Sequence, residues 1–119
     1  MKKSKDRYTV NGRIWVENRG ETYIGYGRVI LLELIKKYGS IRMAARSMDM
    51  SYRRAWELVE SMNRLSKKKL VETRTGGRSG GGAIITDEGE RAIKLFWSLY
   101  GDLKIFLKEE EKKQAETVK

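Results

Sequence analysis

The chain contains no cysteine, no histidine and no proline. Without Cys there is neither a disulfide nor a thiolate-bound zinc. Without His, imidazole-bound metals are excluded, and so is the general base most used near neutral pH. No proline-rich linker or cis-proline turn can form. Long apolar runs are also lacking. The basic start, Met1-Lys2-Lys3-Ser4-Lys5-Asp6-Arg7, leads into no stretch of the kind that a signal peptide or a membrane helix needs. The expectation is a cytoplasmic protein with no membrane contact, no cofactor and no metal.

What is present is charge. The 119 residues carry a net charge of +10, with 35% charged and 39% hydrophobic side chains. That length suits one compact domain and one further element. The positive excess favours a polyanionic partner, nucleic acid first and an anionic membrane second. Its distribution says more than its size. Residues 41–80 hold ten Lys or Arg against four Asp or Glu, whereas residues 100–119 hold five of each. The middle of the chain therefore carries much of the excess, and the C-terminal end adds none of it.

Hydrophobic spacing divides the chain into an α+β, mainly helical, pattern. Residues 1–10 read as a flexible basic arm that becomes ordered near Tyr8, and residues 11–100 as the domain. Two β-prone runs, Asn11–Glu17 and Glu21–Gly25, flank the turn residues Asn18, Arg19 and Gly20, which predicts an N-terminal β-hairpin. Gly27 is expected to close that region. Residues 28–38 are apolar at Val29, Leu32 and Ile35 and at Leu31, Leu34 and Tyr38, the pattern of an amphipathic helix. Gly39 stops it.

Ser40 can cap a short helix over 41–47, with Ile41, Ala44 and Ala45 facing inward; small alanines permit a close helix crossing. Residues 48–50 make a turn. Ser51 caps a longer helix over 52–66, with Ala55, Leu58 or Val59, Met62 and Leu65 inward. Cap, short helix, tight turn, cap and longer helix form a helix-turn-helix pattern. Leu70–Arg74 then alternates, and Ala83–Ile85 follows a tip made of Gly76, Gly77, Arg78, Ser79, Gly80, Gly81 and Gly82. A hairpin directly after the second helix is a wing. No Lys follows these glycines and a strand comes next, so a nucleotide-cradling loop is rejected.

Thr86 caps a last helix from about residue 87 into the 110s, with Asp87 and Glu88 at its positive end. Gly101 weakens it by roughly 1 kcal/mol relative to Ala, which allows a bend. Its apolar stripe is longer than so small a core needs. Leu95, Phe96, Leu99, Leu103 and Phe106 are therefore expected to form a dimerisation face, with residues 101–119 an extension that frays at its end.

The first turn of the longer helix carries the chemistry. Ser51, Tyr52, Arg53 and Arg54 are the expected base readers, since the start of a recognition helix meets base edges and Arg can bond guanine through two atoms. Tyr52 is open to two readings, DNA contact or packing on the preceding helix. For Trp56 a structural role is favoured over DNA contact. Glu57 can orient Arg53, or pair with it as a surface ion pair. Arg42, Arg46, Arg64, Lys67, Lys68 and Lys69 are the expected phosphate contacts, which set affinity and salt dependence rather than sequence preference. Arg78 in the wing can enter a minor groove. No nucleophile stands beside a base, so no enzyme is expected.

Several short runs carry a resemblance. Ser51-Tyr52 with Ala55-Trp56, Leu70-Val71-Glu72, Thr75-Gly76-Gly77, Gly80-Gly81-Gly82-Ala83 and Thr86 with Gly89 resemble the N-terminal winged helix-turn-helix domain of ModE-type molybdate-responsive transcription regulators. More distantly, the segment looks like the LysR-type DNA-binding domain. The resemblance covers about residues 27–100. It implies a homodimer on palindromic operator DNA, with the recognition-helix start on Ser51, Tyr52 and Arg53, the family's Trp on Trp56 and its wing on Gly76 to Gly82. The family's C-terminal molybdate-binding domains have no counterpart in this chain, so molybdate sensing is not implied. Three arrangements stay open: a stand-alone binder, a binder served by a separate effector-sensing chain, or a piece of a longer regulator.

Overall fold

A computed structural model describes residues 7–74 and 81–117. Regular structure begins with an antiparallel hairpin, β1 (Val16–Asn18) and β2 (Glu21–Ile24), in which Asn18 pairs with Glu21. The loop between them is only Arg19 and Gly20. Both adopt positive φ, 55° and 77°, the backbone of a two-residue turn whose twist matches the strands.

Helix α1 spans Tyr26–Tyr38 and so starts two residues earlier than expected. Gly27 does not close the hairpin region but lies in the first turn. Gly39 ends the helix with φ 66°, its amide donating to Ile35 O at 2.7 Å. Ser40 Oγ accepts from the Met43 amide at 3.1 Å and starts α2 (Ile41–Ser47). Asp49 takes a left-handed φ of 54° in the turn, and the Met50 amide donates back to Ala45 O. Ser51 Oγ then accepts from the Arg54 amide at 3.0 Å to start α3 (Tyr52–Arg64), which ends two residues before the expected limit.

Strands β3 (Val71–Arg74) and β4 (Gly82–Ile85) pair antiparallel, Val71 opposite Ile85 and Arg74 opposite Gly82. The Ala83 amide donates to Gly39 O at 3.0 Å, which stitches the wing to the end of α1. Thr86 caps α4 (Asp87–Thr117): its Oγ1 accepts from the Gly89 amide at 3.1 Å and donates to Lys69 O at 2.6 Å. Helix α4 continues through Gly101 without a break.

One core joins α1, α2, α3, the wing and the first half of α4. Leu31, Leu32, Ile35, Met62, Leu70 and Phe96 are fully buried, and no polar or charged residue is buried among the described residues. Trp97 Nε1 donates to Glu33 at 2.7 Å and Lys36 pairs with Glu90 at 2.8 Å, both across the α1–α4 contact. Phe96 corrects an expectation. At 0% exposed it belongs to the domain's own core and cannot face a partner. A helix turns about 100° per residue, so Leu95 and Phe96 look in different directions.

Beyond the core α4 projects. A 31-residue helix is about 46 Å long. The radius of gyration is 19.1 Å, where a compact chain of this length would have about 13.5 Å. The segment before β1 runs beside this projection. The Val10 amide donates to Glu111 at 2.9 Å, and Gly12 lies against Leu107. The expected free arm is thus already held at Val10, while residues 1–6 lie outside the described part.

Candidate nucleic-acid interface

Helix α3 buries Ala55, Leu58, Val59 and Met62 and turns its charged residues outward. Arg53, Arg54, Glu57, Glu60 and Arg64 are exposed as a result. Of the expected base readers, Ser51 serves as the cap and Arg53 is 90% exposed in its side chain. Glu57 stands between the two arginines, 3.7 Å from Arg53 Nε and 3.8 Å from Arg54 Nη1. These are loose contacts that hold both guanidinium groups near the first turn without using all their donors.

Tyr52 is tied to its neighbours. The Arg42 guanidinium sits 4.1 Å from the centre of its ring, and Trp56 meets the same ring edge-on at 6.3 Å. Trp56 packs in turn against the core. Arg42, expected on phosphate, thus stacks on an expected base reader, joining α2 to the start of α3. Arg46, Lys67, Lys68 and Lys69 are exposed. Arg64 is not a free cation: it makes two hydrogen bonds to Glu21, at 2.9 and 3.1 Å. That guanidinium holds the Glu21 carboxyl below the usual glutamate range.

The wing is anchored by Asn63. Its Oδ1 accepts from the Leu70 and Val71 amides at 2.8 and 3.2 Å, and its Nδ2 donates to Val71 O at 3.1 Å. One side chain of α3 therefore fixes where β3 begins. Gly81 is exposed and Gly82 opens β4; the other expected wing residues, Gly76, Gly77, Arg78, Ser79 and Gly80, lie outside the described part. Residue patterns gave no hint of Arg28. It lies in α1 and donates to Ser61 Oγ on α3 at 3.0 Å. The pairing crosses 33 positions of sequence, so no local spacing signals it.

Among the described residues no group of three His, Cys, Asp or Glu is placed to hold a metal ion, and no helix is long and apolar enough to cross a membrane. Capped α2 and α3 at a tight turn, followed by an anchored hairpin, define a winged helix-turn-helix.

No family model matches the chain. It is similar to the molybdenum-pterin-binding protein MopA of Rhodobacter capsulatus, 40% identical over 88 residues, which is 74% of this chain and 33% of that protein. It is 42% identical over 74 residues to the transcriptional regulator ModE of Haemophilus influenzae, covering 62% of this chain and 29% of the regulator. Over 69 residues it is 45% identical to the DNA-binding transcriptional dual regulator ModE of Escherichia coli, covering 58% of this chain and 26% of the regulator. The chain carries a ModE-like winged helix-turn-helix domain, homologous to a segment of these regulators. It spans about a third or less of the length of these relatives.

Proposed function

We propose that the domain binds double-stranded DNA with sequence preference, as the DNA-reading head of a cytoplasmic transcription regulator. The exposed first turn of α3 carries this reading: Arg53 and Arg54 stand on a capped helix beside an anchored wing. Ser51, Tyr52, Arg53 and Arg54 are assigned to the bases, and Arg42, Arg46, Arg64, Lys67, Lys68 and Lys69 to phosphates. The names of the Haemophilus and Escherichia relatives, both regulators of transcription, support the assignment.

The domain acts as a homodimer through α4. Leu95 is 44% and Phe106 55% exposed, and Leu99 lies on the same side of the helix between them. Leu103 is partly covered by the segment around Gly12, and Phe96 drops out of the face. A two-fold dimer reads a palindromic site. Any effector would act through a partner chain or domain that senses it.

Equilibrium binding to a labelled random-sequence duplex tests the reading. Affinity should be measurable at 50 mM salt and fall by about 10³-fold or more by 200 mM, as for a protein making some six phosphate contacts. Absence of binding at 50 mM salt would instead favour a module that binds protein.

A further inference from the structure

Helix α3 is flanked on both sides. The wing holds one flank through Asn63. The β1–β2 hairpin holds the other. Asn18 Nδ2 donates to the Leu65 carbonyl at 2.7 Å, and Arg64 grips Glu21 through two parallel bonds. Between the hairpin and the first turn of α3 lies Arg28, bonded to Ser61. Ser61 follows Arg54 by seven residues, close to two full turns, so both lie on one side of α3. Arg54, Arg28 and the exposed tip residue Arg19 therefore make a row of cations along the flank away from the wing, and Arg64, about a quarter turn further round α3, reaches the same hairpin through Glu21. Among the described residues, Glu57 pairs with Arg54 and Glu21 with Arg64.

Arg28 is the informative member. Burial disfavours its charge, and the nearby Arg54 adds repulsion, so its pKa is lowered despite the attraction of Glu21. Its hydrogen-bond partner is a neutral hydroxyl. A half-buried cation set among other cations is stabilised when an anion arrives. The hairpin turn is built to present charge as well. Arg19 occupies a left-handed position that Asn or Gly would fill with less strain, and it lies at the tip of a hairpin locked to α3.

We propose that the β1–β2 hairpin is a second DNA-contacting arm, and that Arg28, Arg64 and Arg19 hold a phosphodiester backbone on the flank of α3 opposite the wing. This rests on the duplex-DNA reading above. The two arms would grip the backbones on either side of the groove that α3 enters.

The test uses the full chain, a labelled random-sequence duplex and two variants. Arg19→Asn keeps the turn, because Asn tolerates the left-handed conformation. Arg19→Asp also fits the turn and reverses the charge. Losing one phosphate contact should lower the slope of log affinity against log salt by about one unit, which makes the fall between 50 and 200 mM salt about 3.5-fold shallower. Arg19→Asp should bind more weakly than Arg19→Asn at 50 mM salt. If both variants match the parent in affinity and slope while Arg53→Ala weakens binding, the second arm is refuted and the duplex-DNA reading stands. If the parent itself does not bind the duplex at 50 mM salt, the duplex-DNA reading fails and takes this inference with it.

Discussion

Gly89 sits where the first turn of α4 passes the residue before β3. A Cβ there would lie 2.5 Å from Leu70 O and 2.6 Å from Ile85 Cγ2, too close for either to be left in place. Leu70 O already accepts from the Thr86 amide, so it is not free to move away. Gly89→Ala should therefore cost about 1–3 kcal/mol of stability, as overpacking does, in spite of alanine's better helix propensity. Urea denaturation checks this; an unchanged midpoint would mean that the α4–β3 crossing is looser than described. Asn63→Ala should cost a similar amount, roughly 1–3 kcal/mol, because it strips the Leu70 and Val71 amides of their acceptor. Neither role is visible in local spacing. Gly89 and Asn63 both stood in the stretch that resembles the regulators, but what each touches is set by chain many positions away. Ser40, Ser51 and Gly39 were legible because a cap acts within three or four residues of itself.

Elements show the same division. Helices α2 and α3 and the turn between them could be read from the sequence, since period and caps agree there. The start of α1 could not, because Gly27 looks like a terminator wherever it stands and only the assembled first turn shows it as a member. Phe96 was placed on the wrong side of α4 for a related reason. When an apolar stripe is wider than one face, periodicity cannot say which edge meets the domain's own core. The hairpin's docking was invisible, because Glu21 and Arg64 are 43 positions apart. It also makes a prediction. Arg64 holds the Glu21 carboxyl below its usual value, so ionised Glu21 favours the docked hairpin. That contribution is complete above the ordinary glutamate range and is lost as pH falls through the lowered value. Amide shifts of Arg19 and Gly20 followed by NMR should change on acidification below the usual glutamate range. In Glu21→Gln the same shifts should be flat; a transition that persists there would place its origin elsewhere.

At the scale of the molecule, a compact head carries a helix that outruns its own core. The projecting half of α4 is partly covered by the segment at Val10 and Gly12, and the face proposed for a second copy runs from Leu95 and Leu99 to Phe106. Phe106→Glu should shift the chain from dimer to monomer in sedimentation velocity and leave the helical circular dichroism of the head nearly intact. A monomeric parent would remove the basis for two-fold reading. Charge fits the same geometry: residues 41–80, which include the helix-turn-helix, hold ten Lys or Arg against four Asp or Glu, whereas residues 100–119 hold five of each. Whether the first turn of α3 reads base pairs is decided by selecting bound duplexes from a random pool. The parent should recover a palindromic motif with half-sites about one helical turn, roughly 10 base pairs, apart. Arg53→Ala should recover the same spacing with preference lost at one position in each half-site. A pool that yields no motif, or a motif that Arg53→Ala leaves unchanged, would contradict base reading by that turn.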